Sequence, residues 1–205
     1  MTPMMAQYKE VKMKYPDAIL FYRLGDFYEM FFEDAVEASR LLQLTLTARN
    51  KGEHKAPMCG IPYHAAQNYI AKLTRLGKKV AICEQLSDPN LPGIVKRDVV
   101  RVITPGTTLD DNVLEQKTNN YLMALVECND VFGLAYADIS TGEFKVTEIG
   151  NRKDLATELE RVHPTEAVVT PEFYEDALLK KLAGANIGTF FFPHLFRDDA
   201  LAAGE

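Results

Sequence analysis

Cysteine is scarce in this chain of 205 residues, which contains only Cys59, Cys83 and Cys128. The three lie far apart along the sequence, so neither a disulfide framework nor a Cys-x-x-Cys metal or redox pair is expected. We interpret them as buried, reduced thiols. The four histidines are equally scattered. Cys59 with His64 would supply only half of the ligands of a structural zinc site, so no metal site is predicted.

Long apolar runs are missing as well. No stretch approaches the roughly 20 apolar residues that a membrane-spanning helix requires. The polar start Met1-Thr2-Pro3 lacks the basic and then apolar pattern of a signal peptide. With 47% hydrophobic, 25% charged and 10% aromatic residues, the composition is typical of a soluble globular protein. We therefore expect a cytoplasmic protein with no membrane partner, made of one large or two ordinary domains.

Signatures of common enzyme sites are also absent. The sequence contains no Gly-x-x-x-x-Gly-Lys-Ser/Thr segment, so no P-loop that cradles nucleotide phosphates is predicted. No Ser/His/Asp or Cys/His triad can be argued either. One acidic segment, Asp138-Ile139-Ser140-Thr141-Gly142-Glu143, resembles both the first hairpin of a nuclease and the phosphate loop of actin-like ATPases.

Two interpretations of this acidic segment stay open. A ribonuclease-H-like metal-dependent nuclease, or an actin-like ATPase, would be centred on Asp138. A metal nuclease needs several carboxylates that converge on paired cations, and the spacing of Asp138, Glu143 and Glu166 is not diagnostic. In the other interpretation, Thr141-Gly142 forms a turn whose acidic flanks face solvent. Because such turn chemistry is common, we favour the turn.

Positive charge is in deficit overall but unevenly distributed. The net charge of −6 argues against nucleic-acid binding by the chain as a whole. Residues 40–109, however, carry eleven Lys and Arg against four Asp and Glu, whereas residues 116–205 carry eight against fifteen. If the basic residues of the first segment converge in space, they suit contacts to phosphates. They fall in three clusters: Arg49, Lys51 and Lys55; Lys72, Arg75, Lys78 and Lys79; and Lys96, Arg97 and Arg101.

The first half is organised around the stretch Gly25-Asp26-Phe27-Tyr28-Glu29. It follows a β-rich run, residues 18–24, and precedes an apolar run with helical spacing, residues 30–42. We predict a strand, a tight turn at Gly25, and a helix from Asp26 to about residue 42 with Asp26 as its N-cap. Phe27 and Glu29 would be exposed at the helix entry, where an extended or capping backbone directs both side chains the same way.

A purely structural interpretation of this stretch competes with a functional one. Asp26 and Glu29 have the spacing of a capping box. Phe27 is in phase with the apolar residues of the following helix, which would place its ring in the core. On the local pattern alone we favour the structural interpretation.

The other patterns in the first half predict an α/β domain over residues 1–106. Thr2 and Pro3 suit the start of a helix that ends at Pro16, and Gly77 suits the end of a helix that starts at Tyr63. We also predict strands over residues 18–24, 44–48, 80–83 and 98–103, a polar loop over residues 50–53, and an apolar connector over residues 56–62.

Residues 107–118 are polar and acidic and are predicted to be a linker. Three apolar runs then predict an antiparallel meander, followed by helix, strand, helix and strand. This order is expected of a ribonuclease-H-like fold, so we predict a second α/β domain of that class over residues 119–205. Its predicted elements are strands over residues 121–128, 133–140, 144–149, 167–170 and 189–192, and helices that end at Pro164 and Leu182.

Five motifs, taken in order, resemble the amino-terminal part of bacterial MutS DNA mismatch repair proteins. They are Tyr22-Arg23-Leu24-Gly25-Asp26-Phe27-Tyr28-Glu29-Met30-Phe31, Gly60-Ile61-Pro62-Tyr63-His64, Val80-Ala81-Ile82-Cys83-Glu84-Gln85, Val102-Ile103-Thr104-Pro105-Gly106-Thr107 and Asp138-Ile139-Ser140-Thr141-Gly142-Glu143-Phe144. The resemblance covers nearly the whole chain. It implies a mismatch-recognition domain and then a ribonuclease-H-like connector domain without nuclease activity.

The resemblance also implies what the chain lacks. The lever, clamp and ATPase domains of the family would be missing, so we expect a truncated piece that ends in or near the connector domain. ATP and Mg²⁺ would bind in the missing part, and this piece is expected to have no cofactor and no enzymatic activity. MutL is the implied partner of the connector domain, and the whole protein is expected to be a homodimer in the bacterial cytoplasm, associated with the nucleoid.

The Phe-x-Glu motif of the family falls on Phe27 and Glu29. By resemblance, Phe27 would insert from the minor groove at a mismatched or looped site of double-stranded DNA, and Glu29 would hydrogen-bond the mispaired base. We expect contacts to the DNA backbone from the basic clusters and from the segment after Pro62. The candidates are Arg49, Lys51, Lys55, Tyr63, His64, Lys72, Arg75, Lys78, Lys79, Lys96 and Arg97.

Overall fold

The computed structural model of the protein describes residues 2–49, 55–87, 92–108, 119–170, 173, 176–182 and 188–190. The chain divides into two compact units, Met1–Thr104 and Pro105–Glu205. Both contain helices and a mixed sheet, so the α/β class predicted for the chain is confirmed. Within the described residues, no helix has the length and apolar character needed to cross a membrane.

The elements of unit 1 are α1 Pro3–Lys14, β1 Ala18–Leu24, β2 Phe27–Phe31, α2 Phe32–Leu42, β3 Thr47–Arg49, β4 Ala56–Pro62, α3 Ala66–Arg75, β5 Lys79–Gln85 and β6 Arg97–Ile103, with a 3-10 turn over Tyr63–Ala65 before α3. The strands form a six-stranded sheet in the order β3-β4-β2-β1-β5-β6. The central strands β1 and β5 are parallel, and every other neighbouring pair is antiparallel.

The two sides of this sheet face different cores, because successive side chains of a strand point in opposite directions. On one side, Phe21 and Met30 pack with residues of α2 and α3. On the other side, which we term the α1 face, Tyr22 and Phe31 pack with residues of α1. The rings of Tyr8 and Phe31 meet edge to face with their centroids 5.0 Å apart.

A buried carboxylate ties three elements of unit 1 together. Asp34, in the first turn of α2, accepts hydrogen bonds from the Tyr8 hydroxyl at 3.2 Å, the Lys12 ammonium at 2.8 Å and the Leu20 amide at 3.0 Å. Lys12 supplies the positive charge that a buried carboxylate requires. Burial and the nearby Asp34 raise the pKa of Tyr8 well above its ordinary value, so its hydroxyl stays a donor.

The first helix begins as the sequence predicts. The Thr2 hydroxyl accepts a hydrogen bond from the Met5 amide at 3.4 Å, and Pro3 occupies the first helical position. The helix ends at Lys14, two residues before Pro16.

The predicted helix over residues 26–42 is wrong in its first part. Gly25 and Asp26 form a two-residue hairpin loop, and the chain then continues as β2 before α2 begins at Phe32. Gly25 has a φ of +57°, which suits a tight hairpin loop. Asp26 is therefore not an N-cap, and the proposed capping box with Glu29 does not exist. Phe32 itself has a φ of +53°, which marks the change from strand to helix.

Three further details of unit 1 differ from the predictions. The apolar segment predicted to be a connector is strand β4, which pairs with both β2 and β3. Strand β3 begins at Thr47, so the predicted strand over residues 44–48 started too early. The helix predicted to start at Tyr63 begins with a 3-10 turn over Tyr63–Ala65, and its α-helical part starts only at Ala66. The predicted loop over residues 50–53 lies outside the described residues.

The elements of unit 2 are β7 Tyr121–Cys128, β8 Val131–Asp138, β9 Glu143–Ile149, α4 Arg152–Val162, β10 Glu166–Val169, α5 Ala177–Leu182 and β11 Gly188–Phe190. Their order along the chain is the one predicted for a ribonuclease-H-like fold. The strands form a five-stranded sheet in the order β11-β10-β7-β8-β9. Strands β7, β8 and β9 form an antiparallel meander, while β10 is parallel to β7 and β11 is parallel to β10.

The helix α4 covers one side of this second sheet. Leu155 and Leu159 pack in a core with Met123 and Leu134. The Asn151 side chain accepts a hydrogen bond from the Asp154 amide at 2.9 Å and caps the helix. The helix predicted to end at Leu182 is described as α5, Ala177–Leu182. Most of the linker predicted over residues 107–118 lies outside the described residues.

Candidate nucleic-acid interface

Phe27 and Glu29 lie side by side on β2, on the α1 face of the first sheet. Their spacing of two residues directs both side chains to the same face of a strand. Phe27 is 47% exposed, while Tyr28 and Met30 point to the other side and are buried in the core. The prediction that an extended backbone lets Phe27 and Glu29 act together is compatible with this strand. The interpretation that placed the Phe27 ring in the core is wrong.

The hairpin that carries Phe27 is fixed from neighbouring elements. The Tyr63 amide donates a hydrogen bond to the Asp26 carbonyl at 2.9 Å, and the Gly25 amide donates to the Gln85 side chain at 3.1 Å. The Nε–H of Arg23 donates to the Gly25 carbonyl. The hairpin tip is thus attached both to the turn before α3 and to β5. Since the Tyr63 amide is engaged in the fold, it is not free for a phosphate.

Arg23 belongs to β1 of the same hairpin and was not among the predicted site residues. Its guanidinium lies 3.9 Å from the centre of the Tyr63 ring, and Tyr63 is 45% exposed. The Tyr28 hydroxyl donates to Glu84, which also lies 3.6 Å from Arg23. Burial first, and then Glu84, raise the pKa of Tyr28 to about 12. Tyr63 is forty positions from Arg23 in the chain, so no local sequence pattern predicts this contact.

Glu29 is paired with one of the predicted phosphate-binding residues. The Arg49 Nη1 donates a hydrogen bond to Glu29 Oε2 at 2.8 Å. Arg49 ends strand β3, and β4 lies between it and β2. Gly60 is directly opposite Glu29 on β4, and a Cβ at Gly60 would lie 3.5 Å from Glu29 Cγ, which is an ordinary van der Waals contact.

Besides Arg49, three of the candidate cations are engaged in the fold. Lys79 is only 7% exposed and donates to Asp17, and Lys78 pairs with Glu37 at 2.6 Å. The guanidinium of Arg97 donates to the Arg23 carbonyl at 2.8 Å, with further bonds to Gln7, Gln85 and Val95. Lys79 and Arg97 are therefore better described as structural cations than as phosphate contacts.

The other candidates present their side chains to solvent. Lys72 and Arg75 lie three residues apart on α3, which places them on one face of the helix. Lys51 lies outside the described residues. The exposed candidates are Lys55, Tyr63, His64, Lys72, Arg75 and Lys96.

The acidic segment of unit 2 forms a self-contained turn. Asp138 is 1% exposed, and its carboxylate accepts hydrogen bonds from the Asn120 amide at 3.0 Å, the Ser140 amide at 2.9 Å and the Ser140 hydroxyl at 2.6 Å. Burial alone would raise the pKa of Asp138, but these hydrogen bonds outweigh burial and lower it. The predicted turn is present, although the expectation that its Asp138 flank faces solvent is wrong.

The other two carboxylates considered for a metal site, Glu143 and Glu166, have partners of their own. Glu143 accepts from the Tyr121 hydroxyl at 2.7 Å and from Lys145, and Glu166 accepts from the Gly106 amide at 2.7 Å. Across the part of the chain that the structure describes, no three His, Cys, Asp or Glu side chains come together as a potential metal site.

The cysteines differ in environment. Cys59 and Cys83 are buried, and burial raises the pKa of their thiols to about 11 and about 12. Cys128 is exposed at the end of β7, so the interpretation of all three as buried thiols is wrong for this residue.

Comparisons with known proteins identify both halves of the chain. The family model described as MutS domain I matches residues 2–112, and the model described as MutS domain II matches residues 120–193. Three relatives named DNA mismatch repair protein MutS are similar over most of the chain. The protein of Lachnoclostridium phytofermentans is 54% identical over 180 residues, that of Myxococcus xanthus 56% over 178, and that of Staphylococcus epidermidis 52% over 177.

These matches cover 85% to 87% of this chain but only 19% to 20% of each relative. The chain therefore spans about a fifth of the length of the relatives it matches.

Proposed function

The chain belongs to the MutS family of DNA mismatch repair proteins, and from this premise we propose that its first unit recognises mismatched or looped double-stranded DNA. The observation that carries the proposal is the exposed Phe27 ring beside the Glu29 carboxylate on a firmly attached hairpin. An exposed aromatic ring on a rigid strand is suited to insertion between bases, because its position is held before DNA arrives.

Phe27 acts as a wedge from the minor groove. A ring that enters a base step can stack on one base and kink the duplex, at a cost of a few kcal/mol for unstacking. This cost is lowest where pairing is already faulty. Phe27 therefore favours mismatched sites because they are easier to deform.

Glu29 reads the opened base. A mispaired base exposes ring nitrogens and exocyclic groups that a correct pair would occupy, and a carboxylate can form a hydrogen bond with them. A negative charge close to phosphates is otherwise unfavourable. Glu29 consequently contributes discrimination between matched and mismatched DNA and little overall affinity.

Affinity comes from the exposed cations of unit 1. Lys55, Lys72, Arg75 and Lys96 present their charges to solvent, which suits contacts to phosphates that do not depend on base sequence. The structural cations Lys79 and Arg97 instead hold the sheet that carries the hairpin. The basic clusters thus contain residues suited to binding and residues that hold the fold.

Unit 2 serves as the connector domain and has no catalytic role of its own. Its match to MutS domain II supports this assignment. In the whole protein, the family relationship suggests a homodimer, MutL as a partner of the connector, cytoplasmic and nucleoid-associated location, and an ATPase that binds ATP and Mg²⁺ in segments beyond domains I and II. The buried, fully engaged Asp138 gives no support to a nuclease or an actin-like ATPase centred on that residue.

The test is a chimera in which this chain replaces the matching segment of the full-length Lachnoclostridium phytofermentans relative. A duplex with 2-aminopurine next to a G·T mismatch reports unstacking as a rise in fluorescence. We expect the rise with the chimera and its loss with Phe27→Ala, while a matched duplex responds to neither protein. Equal unstacking of matched and mismatched DNA, or unstacking that survives Phe27→Ala, would contradict the proposed function.

A further inference from the structure

The carboxylate proposed to read the base does not stand alone on the protein surface. Glu29 Oε2 receives a hydrogen bond from Arg49 Nη1 at 2.8 Å. The side chain of Glu29 is 18% exposed and that of Arg49 is 38% exposed. Both groups are thus held at the edge of the protein, accessible to a ligand but partly shielded from water.

The sheet is arranged so that this pair can form across an intervening strand. Glu29 is on β2 and Arg49 on β3, with β4 between them. Gly60 of β4 is directly opposite Glu29 and has no side chain. The Arg49 guanidinium carbon lies 5.9 Å from the centre of the Phe31 ring, and Phe31 follows Glu29 by two residues on the same face. The guanidinium of Arg49 therefore lies near both the Phe31 ring and the Glu29 carboxylate.

The pairing has two chemical consequences for a carboxylate that must approach DNA. The guanidinium charge offsets the repulsion between Glu29 and the phosphates, and the charge-assisted hydrogen bond restricts the rotamers that the carboxylate can adopt. Each carboxylate oxygen has two lone pairs, so Oε2 is only partly used by Arg49 and the group retains acceptor sites for a base. A ligand would thus meet an acceptor that is already oriented.

We propose that Arg49 is a positioning residue for base discrimination, which holds Glu29 in the orientation that reads the mispaired base, and that it is not a contact to the DNA backbone. The inference rests on the proposed function, because it assigns to Arg49 a part in the same site. If Arg49 acts through Glu29, its effect must depend on Glu29 being present.

A double-mutant cycle in the chimera described above tests this dependence. The variants are Arg49→Ala, Glu29→Ala and the double variant, with Arg40→Ala as a control that removes an exposed arginine from α2. Each is measured for affinity to matched and G·T-mismatched duplexes at several salt concentrations. Melting temperatures of the free proteins identify any variant that binds poorly because it is unfolded.

We expect Arg49→Ala to lower the preference for mismatched DNA by about two- to fivefold, the effect that a partly exposed ion pair can supply. Matched affinity and its salt dependence should stay at the level of the Arg40→Ala control. In the Glu29→Ala background, removal of Arg49 should change the preference no further. A residue that merely stabilised the fold would weaken binding in both backgrounds, so the cycle separates positioning from stability.

Two results would overturn the inference and leave the proposed function intact. The first is equal loss of matched and mismatched affinity in both backgrounds, with the salt slope reduced by about 0.9, which would make Arg49 a phosphate contact. The second is a preference that Arg49→Ala leaves unchanged. By contrast, a wild-type chimera that did not distinguish mismatched from matched DNA would overturn the proposed function itself, and the inference with it.

Discussion

The hairpins β1–β2 and β8–β9 contain similar residues but use them differently. Each combines a glycine in its loop with an acidic and an aromatic residue in its second strand, Glu29 with Phe27 and Glu143 with Phe144. In the first hairpin the loop is two residues long and its backbone bonds reach Tyr63 and Gln85. In the second, the loop is four residues long and is held by its own Asp138.

The contrast shows that exposure of an aromatic residue is not a sufficient sign of function. Phe144 is 68% exposed and Phe27 only 47%. What distinguishes Phe27 is the carboxylate on the same face and the attachment of its hairpin to two other elements. Glu143 directly precedes Phe144 on β9, so its carboxylate points to the opposite face of the strand.

Removing each ring in turn tests most directly whether Phe27 and Phe144 differ in function. In the chimera, Phe27→Ala should reduce the preference for mismatched DNA by roughly 5- to 150-fold, because stacking of an aromatic ring on a base contributes about 1–3 kcal/mol. Phe144→Ala should leave the preference unchanged. Fluorescence anisotropy with matched and mismatched duplexes measures both effects.

The stability of the Phe27→Ala protein checks the placement of the ring. An exposed residue should cost no more than about 0.5 kcal/mol of unfolding free energy, whereas a core phenylalanine would cost ~3–5 kcal/mol. A large fall in melting temperature would contradict the wedge.

A second substitution tests whether the β8–β9 hairpin is purely structural. Asp138→Asn should destabilise that hairpin by about 1–3 kcal/mol, because an amide cannot accept all the hydrogen bonds of the buried carboxylate. Hydrogen exchange at the amides of β8 and β9 measures this loss. DNA affinity and mismatch preference should be unaltered. Hydrolysis of ATP or DNA by the 205-residue chain with Mg²⁺ or Mn²⁺, if lost in Asp138→Asn, would restore the catalytic interpretation.

The same carboxylate predicts how unit 2 responds to acid. The pKa of Asp138 is lowered in the folded protein, so its contribution to stability is present above the ordinary value of about 3.8 and is lost as the pH falls through the lowered value. Amide protection of β8 and β9 should therefore fall as the pH is lowered through this range. In Asp138→Asn the protection should depend less on pH, and an unchanged pH profile would show that Asp138 is not the responsible group.

The smallest effect concerns charge, which also differs between the units. Lys72→Ala, on α3 of unit 1, should weaken binding to matched and mismatched duplexes alike and reduce the slope of log K against log salt by about 0.9 if it neutralises one phosphate. Lys153→Ala removes an exposed charge from α4 of unit 2 and is the matched control. Equal effects of the two substitutions would mean that the basic character of unit 1 is irrelevant to binding.

The sequence was a good guide to elements with a clear period and a poor guide around the site. The meander of unit 2 and the capped helix α1 were predicted because their alternation and capping residues are local signals. The β2 strand was missed because the apolar residues from Phe27 to Leu42 can be read with either period, and only pairing with β1 and β4 decides between strand and helix.

The candidate site residues Phe27 and Glu29 come from the family resemblance. The local sequence pattern alone favours burial of the Phe27 ring. The Glu29–Arg49 pair, the Arg23–Tyr63 contact and the burial of Lys79 all depend on residues distant in the chain. Clusters of basic residues along a sequence do not reveal which of them form ion pairs or hydrogen bonds within the folded protein.

The hydrogen bond from the Tyr63 amide to the Asp26 carbonyl makes the mobility of the β1–β2 hairpin measurable at a single amide. While this hydrogen bond is formed, the tip of the hairpin is held against the turn before α3, and the backbone of Phe27 keeps one position. Opening of this bond would release the tip of the hairpin from the turn before α3. Hydrogen exchange of the Tyr63 amide therefore measures the free energy of that opening.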